Sequence, residues 1–570
     1  MGRNDLKAQY GSDVMADALG MLDIKYAAIN PGSTYRGLHD SIVNYRGNKP
    51  EIITCNHEGI AVSIAHGYGK VAGKPMAAIV HNVVGLLHGT NAIYNAWLDE
   101  APMLVLGATG PMDIEKRRPW IDWIHTAMIQ GNVVRDYVKW DDQPFTVGAV
   151  PDSFIRGYQI ATTAPQGPVY ICLDNGLQEE TLTREIPLPS MDNYPAPFAP
   201  QGDPCAIDQA AKRLVEATNP VVIADYMGKN PKAVPALVEL AELLALPVVD
   251  GGARFNFPST HPLDLTGADR SLFQDADVVL LLDVNNPSRF NIPEKTCVIH
   301  ITAQHLPGKS WSQSFGKLIK VDLPITADTA LALPALTEAC RKVLTNARRQ
   351  ELQLRFEAAR AKHEALRKKW QTEADKAQEK SPIHMSYLTR QVWELIKKED
   401  WALVSKGERG WARRLWDFDK TSQYAGSYGL GCGMGHALGA ALAHRPAGRL
   451  CINFQPDGDL LFTPAALWTA AHHNIPLLII MNNNRTYYNS ERHQEVTAKS
   501  RNRSTENRGI GTRMENPNVN FAGLARDFGL FGVGPIEKPG DLRPALEEAI
   551  RVVKDKKQAA LVDVVTFPHR

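Results

Sequence analysis

Little in this sequence points toward the extracellular space, a membrane or nucleic acid. Cysteine is scarce: there are seven in 570 residues, an odd number scattered from Cys55 to Cys451. They form neither a disulfide framework nor a CxxC zinc pattern. No run of about 18 apolar residues offers a membrane span, and the opening residues MGRNDLKAQYGSD lack the apolar core of a secretory signal. An excess of one charge is missing too. Lys+Arg number 63 against 62 Asp+Glu, a formal net charge of +1, without the basic stripe that a dedicated nucleic-acid binder uses to neutralise phosphates. No internal repeat of about 20–50 residues is evident. A soluble cytoplasmic protein without nucleic-acid or membrane partners is the expectation.

What is present is ordinary globular material, 44% hydrophobic, 8% aromatic and 22% charged, enough to fill several cores. At about 150 residues per domain the length suggests three or four domains. Short β-branched runs alternate with helical patterns, which implies parallel sheets wound by helices. In the first third these runs are YAAIN, EIIT, MAAIV, MLVLG and VYICLD, with helix-like stretches such as HEGIAVSIAHGYGKVAG between them. The proline-rich segment 187–204 reads as a linker. PVVIADY, PVVDGG, DVVLLLDV and CVIHIT mark a second unit. A charge-rich helical run occupies 341–380, its basic residues interleaved with acidic ones as on a solvated helix. WALVSKG, RLCINF, PLLIIMNN and AALVDVVTF mark a third unit. The expected fold class is α/β, with three doubly wound parallel-sheet domains at 1–186, 200–340 and 381–570 joined by the helical linker 341–380.

The sharpest motif lies in the third unit. The strand RLCINF runs into Gln455-Pro456-Asp457-Gly458-Asp459, a helical stretch TPAALWTAAHHN follows, and the next strand ends in Asn482-Asn483-Asn484. Consecutive strand ends of a parallel sheet open on one edge, where open α/β folds bind ligands. Asp457 and Asn484, 27 positions apart, can therefore converge. A carboxylate, an amide oxygen and a backbone carbonyl are hard ligands suited to Mg²⁺. Gly458 permits close backbone approach, and a helix N-terminus favours an anion.

On these residues the chain resembles the thiamine diphosphate-dependent enzymes of the acetolactate synthase, benzoylformate decarboxylase and benzaldehyde lyase group. Their signature is Gly-Asp-Gly, some 25 residues, then Asn-Asn; Pro456 here replaces the first glycine. The resemblance spans essentially the whole chain and implies pyrimidine-binding, central and diphosphate-binding domains in that order. It implies Mg²⁺ held by Asp457, Asn484 and the carbonyl of Thr486. Three successive asparagines leave the register open between Asn483 and Asn484, and Asn484 is chosen because NNRTYYN then follows the family frame. Gly458, Asp459 and Tyr487 would contact the cofactor. In Gly431-Cys432-Gly433-Met434, Met434 would be the apolar wedge that keeps the cofactor bent, with Cys432 inert.

The same resemblance makes Glu58, in Cys55-Asn56-His57-Glu58-Gly59, the acid that shares a proton with the aminopyrimidine ring and so activates the cofactor. VHNVVGLLHGTNAIYNAWLDEAPMLVLGATG matches the cofactor-facing strand and helix. Two further positions match benzoylformate decarboxylase: Ser33 in Asn30-Pro31-Gly32-Ser33, for the substrate carboxylate, and His81, 23 residues after Glu58, for proton relay. Asn82 departs from that enzyme's small hydroxyl residue. His125, in Trp123-Ile124-His125-Thr126, is a further candidate for the site, whereas His57, His66 and His88 fall on helical stretches and are read as structural. The polar segment after the metal asparagine reads as a long loop in which Tyr487, Tyr488 and Glu491 cover the cofactor.

The implied activity is a thiamine diphosphate- and Mg²⁺-dependent lyase, foremost a 2-oxo acid decarboxylase, with an acetolactate synthase-like carboligase or an acyloin/2-hydroxyacyl-CoA lyase as the alternative. A degenerate regulatory subunit is the reading from a different class, disfavoured because both the acid and the metal motif are present. Some relatives hold FAD in the middle unit, but no GxGxxG fingerprint indicates it here. The partners implied are a small-molecule substrate and further copies of the chain, as a homodimer or homotetramer with active sites shared between subunits.

Overall fold

A computed structural model describes residues 7–269, 271–305, 315–405, 409–427 and 429–567. It contains three sheets, and every strand pair among the described residues is parallel. The first sheet has the spatial order Glu51–Thr54, Tyr26–Ile29, Ala77–Ile79, Met103–Thr109, Pro168–Asp174, Asp141–Asp142. In the second the order is Leu323–Thr326, Cys297–Thr302, Val278–Leu282, Pro220–Ala224, Val248–Asp250. The third runs Trp401–Leu403, Leu450–Pro456, Leu478–Asn483, Ala560–Val565, Phe531–Ile536. Strands such as Val278–Leu282 are buried along their whole length, which is why they read as unbroken apolar runs. The architecture is the expected three-sheet α/β fold.

Alternate residues of each strand serve different cores. Ala27, Ile29, Leu104 and Leu106 pack on the outer face of the first sheet. Ala28, Met103 and Val105 face a core that continues into the third domain through Met434, Ile479 and Met481. The opposite face of the third sheet, with Ile452, Phe454 and Ile480, shares a core with Leu280 and Leu282 of the central domain. Two glycine-bearing helices, Glu58–Ala72 and Gly433–His444, cross within the first of these shared cores. A Cβ on Gly439 would fall 1.9 Å from the carbonyl oxygen of Ile64, and one on Gly67 would fall 2.0 Å from that of His436. Glycine is what lets the two backbones approach this closely.

All three domains meet around Asp99 and Glu100, which follow the helix Asn82–Leu98. The buried Asp99 carboxylate lies 2.8 Å from Nε2 of His66 and 3.0 Å from Nζ of Lys70, and Arg254 of the central domain donates to its backbone carbonyl. Burial works to raise its pKa, but Lys70 and His66, with Arg254, hold it far below the usual carboxylate range. Glu100, in the left-handed backbone region at φ 49°, accepts from Lys229 at 2.7 Å and from Asn285 at 2.8 Å. The ring of His66 meets that of His436 in the third domain at 4.7 Å.

The segment 187–204 carries one turn, Met191–Asn193, before the next helix begins at Pro204. The long helix Asn346–Lys376 is tied to the central domain by its own cations. Arg348 donates to the carbonyl of Val215 at 2.8 Å, and Arg355 to that of Leu244 at 2.5 Å, both near helix C-termini where positive charge is favoured. No helix among the described residues is long and apolar enough to cross a membrane.

Two expectations change. After the strand Leu450–Pro456 a short helix Asp457–Leu460 begins at once, and the helix expected over TPAALWTAAHHN is confined to Ala466–His472. The polar segment expected as a loop contains the helix Tyr488–Ser500. Only Glu491 and Ala498 are buried in it, so it has the composition of a helix without the apolar stripe by which helices are read.

Candidate active site

In the first sheet Ile29 lies opposite both Thr54 and Ile79, so the loops after these three strands open side by side. They carry Ser33 with Thr34, Glu58, and His81. Glu58 is the first residue of its helix, and His57 caps that helix by accepting the Gly59 N–H at 2.9 Å. The Glu58 side chain is buried, and its Oε2 lies 3.0 Å from Nδ1 of His88. The His88 ring stacks on His57 with centroids 5.0 Å apart. A Cβ on Gly85 would come within 2.8 Å of the other carboxyl oxygen, so the helix Asn82–Leu98 reaches the carboxyl only because glycine stands there. His57 and His88, read as structural along with His66, thus lie against the Glu58 side chain or its neighbour, whereas His66 lies at Asp99. His81 and His88 are seven residues apart, two turns of one helix face, and that spacing was the available signal.

His81 occupies the cap position of the helix Asn82–Leu98. Its Nδ1 lies 3.0 Å from Oγ1 of Thr34, and its ring meets that of His125 edge-on at 4.9 Å. Burial lowers the His81 pKa, and His125 and Arg118 lower it further. A Cβ on Gly32 would lie 2.2 Å from His81 Nδ1, so this loop too needs its glycine. Ser33 is exposed and opens the turn Ser33–Tyr35; its neighbour Thr34, not Ser33, touches His81. His125 ends the helix Asp122–His125, which is anchored by Arg118 on Asp122 at 2.8 Å. Among the described residues its buried Nδ1 has no hydrogen-bond partner.

The second group lies on the third sheet, where Pro456 pairs with Asn482. Asp457 is buried, and its carboxylate accepts N–H bonds from Gly458 at 2.7 Å and Arg485 at 2.6 Å. Arg485 has the left-handed φ of 56°, a costly conformation for a side chain of this size, and it aims that N–H at Asp457. Among the described residues no Lys or Arg pairs with the Asp457 carboxylate. Burial raises its pKa to about 6, against the lowering effect of the backbone donors. Asn483 is turned into the sheet, donating to Asp563 at 2.9 Å. Asn484 lies beyond the strand end, its Oδ1 accepting the Thr486 N–H at 3.0 Å.

The flanking residues are equally fixed. A Cβ on Gly458 would lie 2.5 Å from the Tyr487 ring. Asp459 accepts from the N–H groups of Gly431 at 2.7 Å and Gly433 at 3.0 Å, which ties the start of the helix carrying Met434 to the strand end. Met434 is fully buried, its Sδ 3.8 Å from Nδ2 of Asn453. Cys432, expected without a partner, accepts from Asn95 at 3.2 Å and Asn91 at 3.5 Å across the domain boundary. Glu491 is turned inward to Thr486 at 2.9 Å, Arg513 at 3.1 Å and Arg508 at 3.2 Å. These contacts tie Glu491 to the segment after the strand.

Residues 9–135 match the N-terminal TPP binding domain of the thiamine pyrophosphate enzymes, 207–336 their central domain, and 408–564 their C-terminal TPP binding domain. The chain belongs to this family. As a thiamine pyrophosphate enzyme it is 25% identical to a benzoylformate decarboxylase of Pseudomonas aeruginosa, covering 76% of this chain and 78% of that protein. It is 24% identical to a probable acetolactate synthase large subunit of Methanocaldococcus jannaschii, covering 98% and 92%. Its fold is shared with the benzoylformate decarboxylase of Polynucleobacter necessarius, at TM-score 0.78 and 19% identity over 99% of each chain. It is shared also with a 4-hydroxybenzoylformate decarboxylase of Rhodococcus jostii RHA1, at TM-score 0.75 and 19% identity over 98% and 99%.

Proposed function

We propose that this enzyme binds thiamine diphosphate with Mg²⁺ and decarboxylates a 2-oxo acid. The donor set fits the metal: Asp457, the Asn484 side chain and the Thr486 carbonyl are hard oxygens, and among the described residues no Lys or Arg pairs with the buried Asp457 carboxylate. With Asn483 committed to Asp563, Asn484 is the amide left for the ion. Gly458 and Tyr487 would border the diphosphate, Met434 would sit under the bend, and Asp459 holds the start of the Met434 helix. Glu58 would hold the proton shared with the pyrimidine ring. When bound, the cofactor supplies the electron sink for the pair released as the carboxylate leaves.

The observation that carries decarboxylation is the Thr34–His81–His125 group. Converting a 2-oxo acid anion and a proton into an aldehyde and CO₂ requires a proton donor at the reacting carbon. Two imidazoles in contact, one fixed by Thr34, suit that delivery. Ser33, exposed beside them, would bind the substrate carboxylate. A carboligase would instead have to withhold that proton until a second carbonyl arrives. The relatives named as benzoylformate decarboxylases support the same reading.

Each site would be shared between two chains of a homodimer, which can pair into a homotetramer. Trp120, Trp123 and Met128 of the first domain are 68%, 76% and 62% exposed, and Leu430, Phe462 and Ile510 of the third are 71%, 60% and 78% exposed. Apolar side chains left this open call for a covering surface.

The test is product analysis with thiamine diphosphate, Mg²⁺ and benzoylformate, pyruvate or a 2-hydroxyacyl-CoA as substrate in separate reactions. Equal amounts of CO₂ and aldehyde are expected. Acetolactate from pyruvate without free aldehyde would replace this reading by the carboligase one, and cleavage of a 2-hydroxyacyl-CoA by the lyase one.

A further inference from the structure

We infer that His88 positions Glu58 and is its proton outlet; the inference rests on the thiamine diphosphate reading, in which Glu58 exchanges a proton with the cofactor. The Glu58 side chain is only 5% exposed while that of His88 is 52% exposed. A buried carboxyl that alternates between protonated and ionised forms needs a route to a proton reservoir. Among the described residues, His88 is the one titratable side chain within hydrogen-bond distance of it, Nδ1 to Oε2 at 3.0 Å. On the single chain the imidazole therefore bridges a buried oxygen and an exposed face.

The surroundings hold that bridge in place. His57 lies under His88 as a stacked platform, 5.0 Å away at an interplanar angle of 21°. Its Nδ1 is occupied by the Gly59 N–H, and burial lowers its pKa, which disfavours its taking up the proton. Gly85 leaves room for the carboxyl beside the helix that carries His88. In the outward step the Oε2–H bond breaks, the proton bonds to His88 Nδ1, and the proton on Nε2 passes to water. A neutral acid and imidazole become a carboxylate and an imidazole of the other tautomer. The inward step takes a proton from water at Nε2 and returns the Nδ1 proton to Glu58, which restores the first tautomer. A group that alternates, as Glu58 does, thus resets its own relay each cycle.

The test compares His88→Asn, which keeps an N–H donor beside Glu58 but cannot relay, with His88→Ala, which leaves space for free imidazole. Calorimetry with thiamine diphosphate and Mg²⁺ reads cofactor affinity. Acid-quenched NMR reads deuterium exchange at the thiazolium C2 position of the bound cofactor, with no substrate present. Affinity should stay within about threefold of wild type, because His88 acts on the proton and not on the phosphate end. Exchange should slow about 10²-fold in both variants and recover in part with added imidazole in His88→Ala only. Unchanged exchange in His88→Asn overturns the proposal, and that variant decides alone if His88→Ala does not fold. Equal slowing of both with no response to imidazole also overturns it, leaving a packing role. Wild-type protein that fails to bind thiamine diphosphate would sink the cofactor reading itself, a result distinct from either.

Discussion

Asp457 and Glu58 are both buried carboxylates, yet their neighbours assign them different work. Among the described residues Asp457 is met by backbone N–H groups alone, and burial raises its pKa to about 6, the environment of a ligand that lacks its cation. Asp457→Ala is therefore expected to lose Mg²⁺ and, with it, tight binding of thiamine diphosphate. Calorimetry showing cofactor affinity unaltered and insensitive to EDTA would contradict the assignment. Glu58 instead faces an imidazole, the environment of a group that trades a proton. Glu58→Gln keeps the size and removes the acid, so turnover should fall at least about 10²-fold while cofactor affinity changes little. Steady-state rates at saturating cofactor measure this. The motif residues around these two were legible because their chemistry is local in sequence: a strand end, a glycine, an acid. Thr34 and His88 were not, because each touches a partner 47 or 30 positions away, and the seven-residue spacing from His81 to His88 marks a shared helix face but not the partner.

At the scale of the element, the crossing of Glu58–Ala72 over Gly433–His444 depends on missing side chains. Gly439→Ala would drive a methyl into the Ile64 carbonyl, 1.9 Å from the ideal Cβ, and backbone cannot yield as a flexible side chain can. The expected loss is about 1–3 kcal/mol, read as a lower urea or thermal midpoint. Gly540→Ala, with open space around its Cβ, is the control and should be neutral. A second contact between these domains is sensitive to acid. His473 Nε2 accepts the Thr54 N–H at 2.8 Å, which requires a neutral ring, and burial, with His472 and Arg445, lowers its pKa to about 4. The unfolded chain binds this proton near pH 6.5. The contact's contribution is therefore full above about pH 6.5, declines as pH falls, and is lost below about 4. The hydrogen-exchange protection factor of the Thr54 amide should fall across that window and be independent of pH there in His473→Gln. Elements themselves were legible wherever burial on both sheet faces made the strand a continuous apolar run. The edge strands Asp141–Asp142, Leu323–Thr326 and Phe531–Ile536 were not, being short, half-exposed or interrupted by Gly532, Gly534 and Pro535.

At the scale of the whole molecule, the first and third domains each carry one chemical group, and both present exposed apolar residues. If each site joins Glu58 of one chain to Asp457 of another, a mixture of Glu58→Gln and Asp457→Ala chains should regain activity. After free exchange half the dimers are mixed and each holds one intact site, so about a quarter of wild-type activity should return. No recovery despite exchange seen by mass-tagged subunits, or a fully active monomer in light scattering, would sink the shared-site arrangement. The substrate stays outside what sequence conveys, because the pocket is shaped by loops from several domains at once.

The ion network at Asp99 and Glu100 sets a rule for recombination among relatives. The Asp99 carboxylate answers to His66 and Lys70 within its own domain and, at 3.8 Å, to Arg254 in the central one, and Glu100 to Lys229 and Asn285. A chimera that takes its central domain from a distant relative would strand one or more of these charges without its partner, at a cost of several kcal/mol for each buried ion. The central domain can be exchanged only together with the residues that answer it at 99 and 100, which makes the heritable module larger than the domain.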